Sequence, residues 1–394
     1  MQDEYEQALI DLRAGITPES FPSIFANKKL AVELEKRGEW HVQNPNLRAE
    51  EYLHSLHIEL WEFVKGRTLL YLDTGYWVGM RQGLLDDRRD SHLRLFLRLV
   101  NLSREGVVIC PTSDALFDEL VRQNDRSTRA ATAELMDQLS MGICLQNKTE
   151  LIWTEIRRQI YRSIKPELRE AWCEWIFTKI GLIHYPGLPH HDSYNEAENN
   201  YLRKSFIDHC WFAGLIKDMA SASDHPEWGH VDNDQLADAH NQDFQYYREN
   251  KADRENIRGQ EIGLEWQLKY NIEFEKIAGE ILQLEPVACA AYMPNRDKQP
   301  DQNPEVLPQI QIKTTLSTFF ATDHKKRMKA TDLPDIEHAS YALPYVDIFA
   351  CDRRLAHAIK AGPHKLDSTY GTEVVGSVTE LEAVLDDRFG STGV

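Results

Sequence analysis

The sequence predicts an α/β fold built on a central parallel sheet, and three observations carry that prediction. Two short apolar runs, TLLYLD (68–73) and VVICP (107–111), are each followed by residues with helical spacing. A second series of the same kind, YVDIFACD (345–352), RRLAHAIKA, TEVVG (372–376) and a closing helix, lies near the end of the chain. Between the two series the alternation gives way to helical periodicity. The sheet-forming parts, 66–125 and 331–394, are therefore expected to make one domain. An N-terminal helical region over 1–65 precedes it, and a large, mostly helical insertion over 126–330 interrupts it. Such an insertion is tolerated because the cost of loop closure rises only slowly with length.

Each element has its own justification. YEQALIDL, KKLAVELEKRG and AEEYLHSLHIELWEFVKG place apolar residues three and four apart, as amphipathic helices do. TLLYLD is a short buried strand, HLRLFLRLVNLSREG (92–106) an amphipathic helix, VVICP a second strand, and SDALFDELVRQ restarts helical spacing. The insertion reads as the helices TRAATAELMDQL, TELIWTEIRRQIYRSI, ELREAWCEWIFTKIG and YLRKSFIDHCWFAGLIKDM, with a long polar-faced run over 235–284. YPGLPHHDSYNEAENN and MPNRDKQPDQNPEVLPQ carry the Pro, Asn and Asp of loops. Ser377 and Glu380 stand at capping-box spacing before the last helix.

Composition narrows the function classes. With 42% hydrophobic residues most of the 394 should fold, and no apolar run is long enough to span a bilayer. The start, MQDEYEQALIDLRAG, is acidic where a secretory leader would be basic and then apolar. The six cysteines (Cys110, Cys144, Cys173, Cys210, Cys289 and Cys351) form no CxxC pair and read as free thiols of a reducing cytoplasm. A formal charge of −18 repels phosphate backbones over most of the surface, so any nucleic-acid contact must be local.

The chemistry-bearing residues sit at strand ends. In an open parallel sheet, ligands bind outside the carboxyl ends of the strands. Asp73 ends the first strand and Asp352 ends YVDIFACD; Glu119 lies in the helix after VVICP, and Asp335 opens the segment that leads back to Asp352. A strand-end aspartate alone often does no more than cap the next helix. Four acids at four such positions can meet at one rim. Two ionised carboxylates about 5 Å apart repel by roughly 3 kcal/mol at an effective dielectric near 20, so such a cluster calls for a neutralising cation. Mg²⁺ and Mn²⁺ prefer carboxylate and water oxygens, and a metal pair can activate water for phosphodiester hydrolysis. The residues therefore point to a metal-dependent phosphoryl-transfer site. A haloacid-dehalogenase-type phosphatase would need an aspartate where Gly75 stands, and no P-loop or dinucleotide fingerprint occurs.

The order LDTGYW, CPTSDALFDELV and DIEHASYALPYVDIFACDRRLA resembles the PIN-domain ribonucleases. The resemblance covers about 68–123 and 332–380, and assigns Asp73, Glu119, Asp335 and Asp352 as both catalytic and metal ligands. His338, Ala342 and Asp347 also stand close to where many members have His, Ala and a second Asp. It implies a PIN-like domain and a Mg²⁺- or Mn²⁺-dependent endoribonuclease, with RNA as substrate ahead of DNA. Two departures stand out: Ala-Cys-Asp replaces the usual Thr-x-Asp, and the family's compact domain has no insertion of this size.

Around the four acids, His338 and Asp347 are expected to support the ligands from behind, although alternation along VDIFACD makes Asp347 a structural acid beside the strand. Thr74, the basic residues Lys325, Lys326 and Arg327 of HKKRMK, and Arg353 and Arg354 are candidate substrate contacts. Asp332 and Glu337 read as solvated acids. His184, His190, His191 and Asp192 match no helical metal motif and read as surface residues, while Trp153, Trp172, Trp175 and Trp211 read as packing. The rival class is a regulatory or binding module with a silent nuclease site, acting through protein partners. A toxin or antiphage effector held inactive by an inhibitory partner joins the two readings. The alternating charge of YYRENKADRENIRGQE suits a solvated helix or a contact between subunits of a homo-oligomer, and the insertion is expected to wall the acidic rim.

Overall fold

In the computed structural model, which describes residues 28–85, 90–123, 125–164, 175–180, 188–212, 233–250, 257–258, 261, 307–322, 327–361 and 365–390, the run TLLYL becomes the central strand β1 (Thr68–Leu72). It is apolar along its length because both faces are covered: Leu70, Tyr71 and Leu72 are fully buried. Strand β2 (Val108–Ile109) pairs with it on one side and β5 (Ile348–Ala350) on the other, with β6 (Glu373–Val375) beyond, in the order β2-β1-β5-β6 and all parallel. TLLYLD and YVDIFACD thus lie side by side in one sheet, Leu72 level with Ala350 and Ala350 level with Val375.

Fourteen helices surround the strands among the described residues. Helices α1 (Lys28–Gln43) and α2 (Ala49–Val64) precede β1; α3 (Thr74–Leu85) and α4 (Asp90–Arg104) connect β1 to β2. After β2 come α5 (Asp114–Val121), α6 (Arg126–Ser140), β3 (Cys144–Leu145), α7 (Lys148–Ile164), β4 (Phe177–Thr178), α8 (Glu196–Phe212) and α9 (Asn233–Glu249). The chain returns through α10 (Pro308–Thr322) and α11 (Asp332–Ala342) to β5, then α12 (Arg353–Ala361), α13 (Leu366–Tyr370), β6 and α14 (Val378–Phe389). Ser377 caps α14 by accepting from the Glu380 N–H at 3.2 Å, and the Glu380 carboxylate reaches back to the Gly376 N–H at 2.9 Å.

The stretch expected as an insertion contributes to the sheet domain itself. Helix α6 packs on α3, α4 and α5. The Thr112 N–H donates to Ile143 O and the Leu145 N–H to Thr112 O, so β3 runs beside the chain that leaves β2 and pairs antiparallel with β4. Helix α10 packs along α11 and α9 along α10. Of the run 235–284, only 235–250, 257–258 and 261 are among the described residues, so its full course lies outside them.

Helices α1 and α2 are fastened to α8 by buried polar groups. Asp208 of α8 accepts from the Tyr52 hydroxyl and lies 2.7 Å from His41 Nε2, while the Lys204 ammonium donates to Asn44 O at 2.8 Å. Asn200 accepts from the Ala49 N–H, capping α2 from across the interface. The described cysteines, Cys110, Cys144, Cys210 and Cys351, are buried and outside any disulfide, and the Cys144 thiol donates to Thr178 O at 3.3 Å. Among the described residues no helix is long and apolar enough to cross a membrane.

Candidate active site at the carboxyl ends of the strands

Strand register puts the first two acids on one rim. The Asp73 N–H donates to Ala350 O at 3.0 Å, which locks the end of β1 beside the end of β5, where Asp352 follows two residues later. Both aspartates also cap helices: Asp73 Oδ1 accepts from the Tyr76 N–H at 3.3 Å, and Asp352 Oδ1 from the Leu355 N–H at 2.6 Å. Capping and site membership are compatible here, because each carboxylate keeps a second oxygen and each helix N-terminus favours negative charge.

Glu119 and Asp335 complete the group. Helix α5 starts where Ser113 accepts from the Leu116 N–H, and Glu119 lies in its second turn. There it accepts a short hydrogen bond from the Thr74 hydroxyl. Helix α11 starts one turn earlier than the sequence pattern suggests, at Asp332, so Asp335 stands within its first turn rather than at its head. One turn further on, the buried His338 places Nε2 3.3 Å from Glu119 Oε2, in ion-pair range but without hydrogen-bond alignment. Its Nδ1 lies 2.7 Å from the Tyr71 hydroxyl, which is in turn 2.6 Å from Ser113 Oγ.

The electrostatics record the convergence. Burial pushes Asp73 up to about 6; His338 and the Tyr76 N–H partly offset this, while the fields of Asp352 and Glu119 add to it. Burial also pushes Asp335 up to about 7, reinforced by Asp352, Asp73 and Glu119. For Glu119 burial again opposes ionisation, but His338, Thr74 and Arg122 together outweigh it and hold the carboxyl below its usual range. Burial works against charge on His338, yet Glu119, Asp73 and Asp335 raise its affinity for a proton. The Cys351 thiol is pushed well up by burial beside Asp73, Asp352 and Asp335.

The donor set is chemically suited to a hard divalent cation: four carboxylates, two of which, Asp73 and Asp335, hold their protons more tightly than usual, first through burial and then through the fields of neighbouring acids. Among the described residues no three His, Cys, Asp or Glu side chains already stand as a preformed metal cage.

The other candidates divide between expectations that hold and ones that need correction. Asp347 is not behind the ligands: it precedes β5 at the opposite, amino end, where its Oδ2 accepts from the Leu69 N–H at 2.7 Å and its carbonyl from the Glu373 N–H. Arg354 is committed inward, donating to Asp332 Oδ2 at 2.7 Å and to Arg327 O, with its guanidinium over the Phe320 ring. Asp332 is accordingly buried, not solvated. Glu337 is held by Lys148 and Lys313. Arg327 pairs with Asp238 at 2.7 Å on the surface, while Lys325, Lys326 and His184 lie outside the described residues. Arg353 is exposed directly after Asp352. His190 and His191 are on the surface, His190 facing Asp192 at 3.6 Å. Trp211 is buried and Trp175 stacks on His54 and His57, both as packing; Trp172 lies outside the described residues.

Three residues of the site were not singled out from sequence: Tyr71, Ser113 and Arg122. The signal for Tyr71 was present, since it sits two residues before Asp73 and shares its face of the strand. Comparison with protein-family models, curated proteins and solved structures finds no match for this chain.

Proposed function

We propose that the chain is a metal-dependent endoribonuclease of the PIN-like type. The observation that carries this reading is the gathering of Asp73, Glu119, Asp335 and Asp352 outside the carboxyl ends of β1 and β5, where burial, reinforced by the neighbouring acids, pushes Asp73 and Asp335 up to about 6 and 7. These four residues would hold Mg²⁺ or Mn²⁺. A bound ion would supply a deprotonated water and charge neutralisation at the leaving oxygen.

The chain's own contribution is placement. Asp73 and Asp352 are held at fixed positions by their capping bonds, and Glu119 is held between Thr74 and His338. Arg353, exposed beside Asp352, and Arg122, one turn beyond Glu119, supply positive charge at the edges of an otherwise acidic rim and suit phosphate oxygens of RNA. Arg354 is better understood as a clamp that ties α12 to Asp332 at the start of α11.

The net charge of −18 favours one alternative, a regulatory module that works through protein partners, or a toxin or antiphage effector restrained by one. One experiment separates the readings: incubation of the purified chain with pooled RNA in Mn²⁺, Mg²⁺ or EDTA, beside Asp73→Asn. Cleavage that requires the metal and is lost in Asp73→Asn is expected. Full-rate cleavage by Asp73→Asn would reject the assignment, and an inert wild-type chain would favour the partner-dependent alternative.

A further inference from the structure

Behind Glu119 lies a line of hydrogen-bonding groups that the nuclease reading does not itself require. It begins at the Leu116 N–H, which donates to Ser113 Oγ at 3.2 Å. Ser113 Oγ is 2.6 Å from the Tyr71 hydroxyl, and that hydroxyl is 2.7 Å from His338 Nδ1. The other ring nitrogen, Nε2, faces Glu119 Oε2 at 3.3 Å, and the Thr74 hydroxyl donates to the same oxygen. Tyr71 is fully buried in the central strand, its ring stacked on Phe349 with centroids 5.6 Å apart. Ser113 and His338 are equally sequestered, at 0% and 1% exposure, so no water competes for these bonds.

We infer that Tyr71 is a positioning residue: its hydroxyl, braced by Ser113, fixes the His338 imidazole so that Nε2 faces Glu119 at ion-pair distance and favours its carboxylate being turned toward the cation. The inference rests on the metal-dependent reading of the site. A hydroxyl suits the task because it both donates and accepts. If His338 is neutral, the ionised Glu119, which can only accept, selects the Nε2–H tautomer, and Ser113 then donates to Tyr71 and Tyr71 to Nδ1. If His338 is charged, Nδ1–H donates to Tyr71 and Tyr71 donates to Ser113, and Nε2 again carries its proton. Either way Glu119 meets a donor, and the ring cannot turn without breaking a buried hydrogen bond.

Helix α11 carries His338 one turn beyond Asp335, whose carboxylate belongs to the rim, and Phe349 of the neighbouring strand β5 stacks on the Tyr71 ring. Tyr71→Phe removes the hydroxyl while keeping the stacked ring, so it isolates the bond from the packing.

The test has two readouts on the full chain. Mn²⁺ binding to metal-stripped protein is measured by calorimetry for the wild type, Tyr71→Phe, His338→Gln and the double variant. The ring nitrogens of His338 are followed by NMR in ¹⁵N-histidine-labelled protein, the signal being assigned by its loss in His338→Gln. Tyr71→Phe should weaken Mn²⁺ binding by about tenfold or more, the range seen when a partner behind a metal ligand is removed, and should shift the His338 nitrogen signals. Glutamine keeps a donor near Nε2 without needing Tyr71, so adding Tyr71→Phe to His338→Gln should cost little further affinity. Unchanged His338 signals, or equal losses of affinity in both backgrounds, would overturn the proposal. Failure of the underlying reading looks different: a wild-type chain that binds no Mn²⁺ rejects the metal site, while the NMR readout still decides whether Tyr71 holds His338. Far-UV circular dichroism of each variant separates loss of fold from loss of the bond.

Discussion

Asp335 shows how a single side chain reports the chemistry around it. Its proton is held up to about 7 against an ordinary 3.8, first by burial and then by Asp352 and Asp73. The folded chain therefore binds this proton more tightly than the unfolded chain does, so the stability cost is absent below about pH 4, grows as pH rises, and is complete above about pH 7. Replacing the carboxylate by an amide removes that cost. In EDTA, Asp335→Asn should melt at a higher temperature than the wild type at pH 8 and at the same temperature near pH 4. A lower melting temperature at pH 8 would show that the carboxylate makes a favourable contact outweighing the repulsion. With cation present the order should reverse at pH 8, because the wild type gains binding energy that the amide cannot supply.

At the scale of elements, the rim depends on how α3 is seated, because α3 begins directly after Asp73. Its packing against α4 is close at Gly79, where an added Cβ would overlap the His92 ring. A methyl there forces either a ring rotation or a separation of the helices, and overpacking of this kind costs about 1–3 kcal/mol. Gly79→Ala should therefore lower the urea midpoint without changing the slope of the transition. An unchanged midpoint would mean that His92 swings aside freely. The apolar spacing of HLRLFLRLV announces α4, but the need for a glycine opposite His92 exists only once the two helices touch.

The whole molecule is held together by contacts between parts far apart in sequence. Asp208 joins α8 to both N-terminal helices: its side chain is nearly fully buried between His41, Tyr52 and Arg37. Removing one member of a buried charged set leaves the others unpaired, at a cost of about 3–5 kcal/mol. Asp208→Ala should lose stability of that order in urea denaturation while keeping wild-type Mn²⁺ affinity, since none of these residues belongs to the rim. A loss of Mn²⁺ affinity with the fold intact would place the N-terminal helices in the site's support.

What the sequence determined by itself was local. Apolar period and strand-end acids located β1, β2, β5 and β6, the helices α4, α5, α12 and α14, and the positions of Asp73, Glu119, Asp335 and Asp352, because periodicity and capping chemistry act over a few residues, while β4 falls inside a stretch read as helix. The tertiary structure alone decided which distant pieces meet. It set Leu69 against Asp347, 278 residues apart, and so put that acid at the far end of the strand from the rim. It turned Arg354 inward to the buried Asp332 and left Arg353 exposed, a distinction that two adjacent arginines cannot announce. It also drew α6 and β3 into the sheet domain and aligned Ser113, Tyr71 and His338 behind Glu119. Those outcomes depend on packing shape and side-chain reach between non-local segments, and no local pattern encodes either.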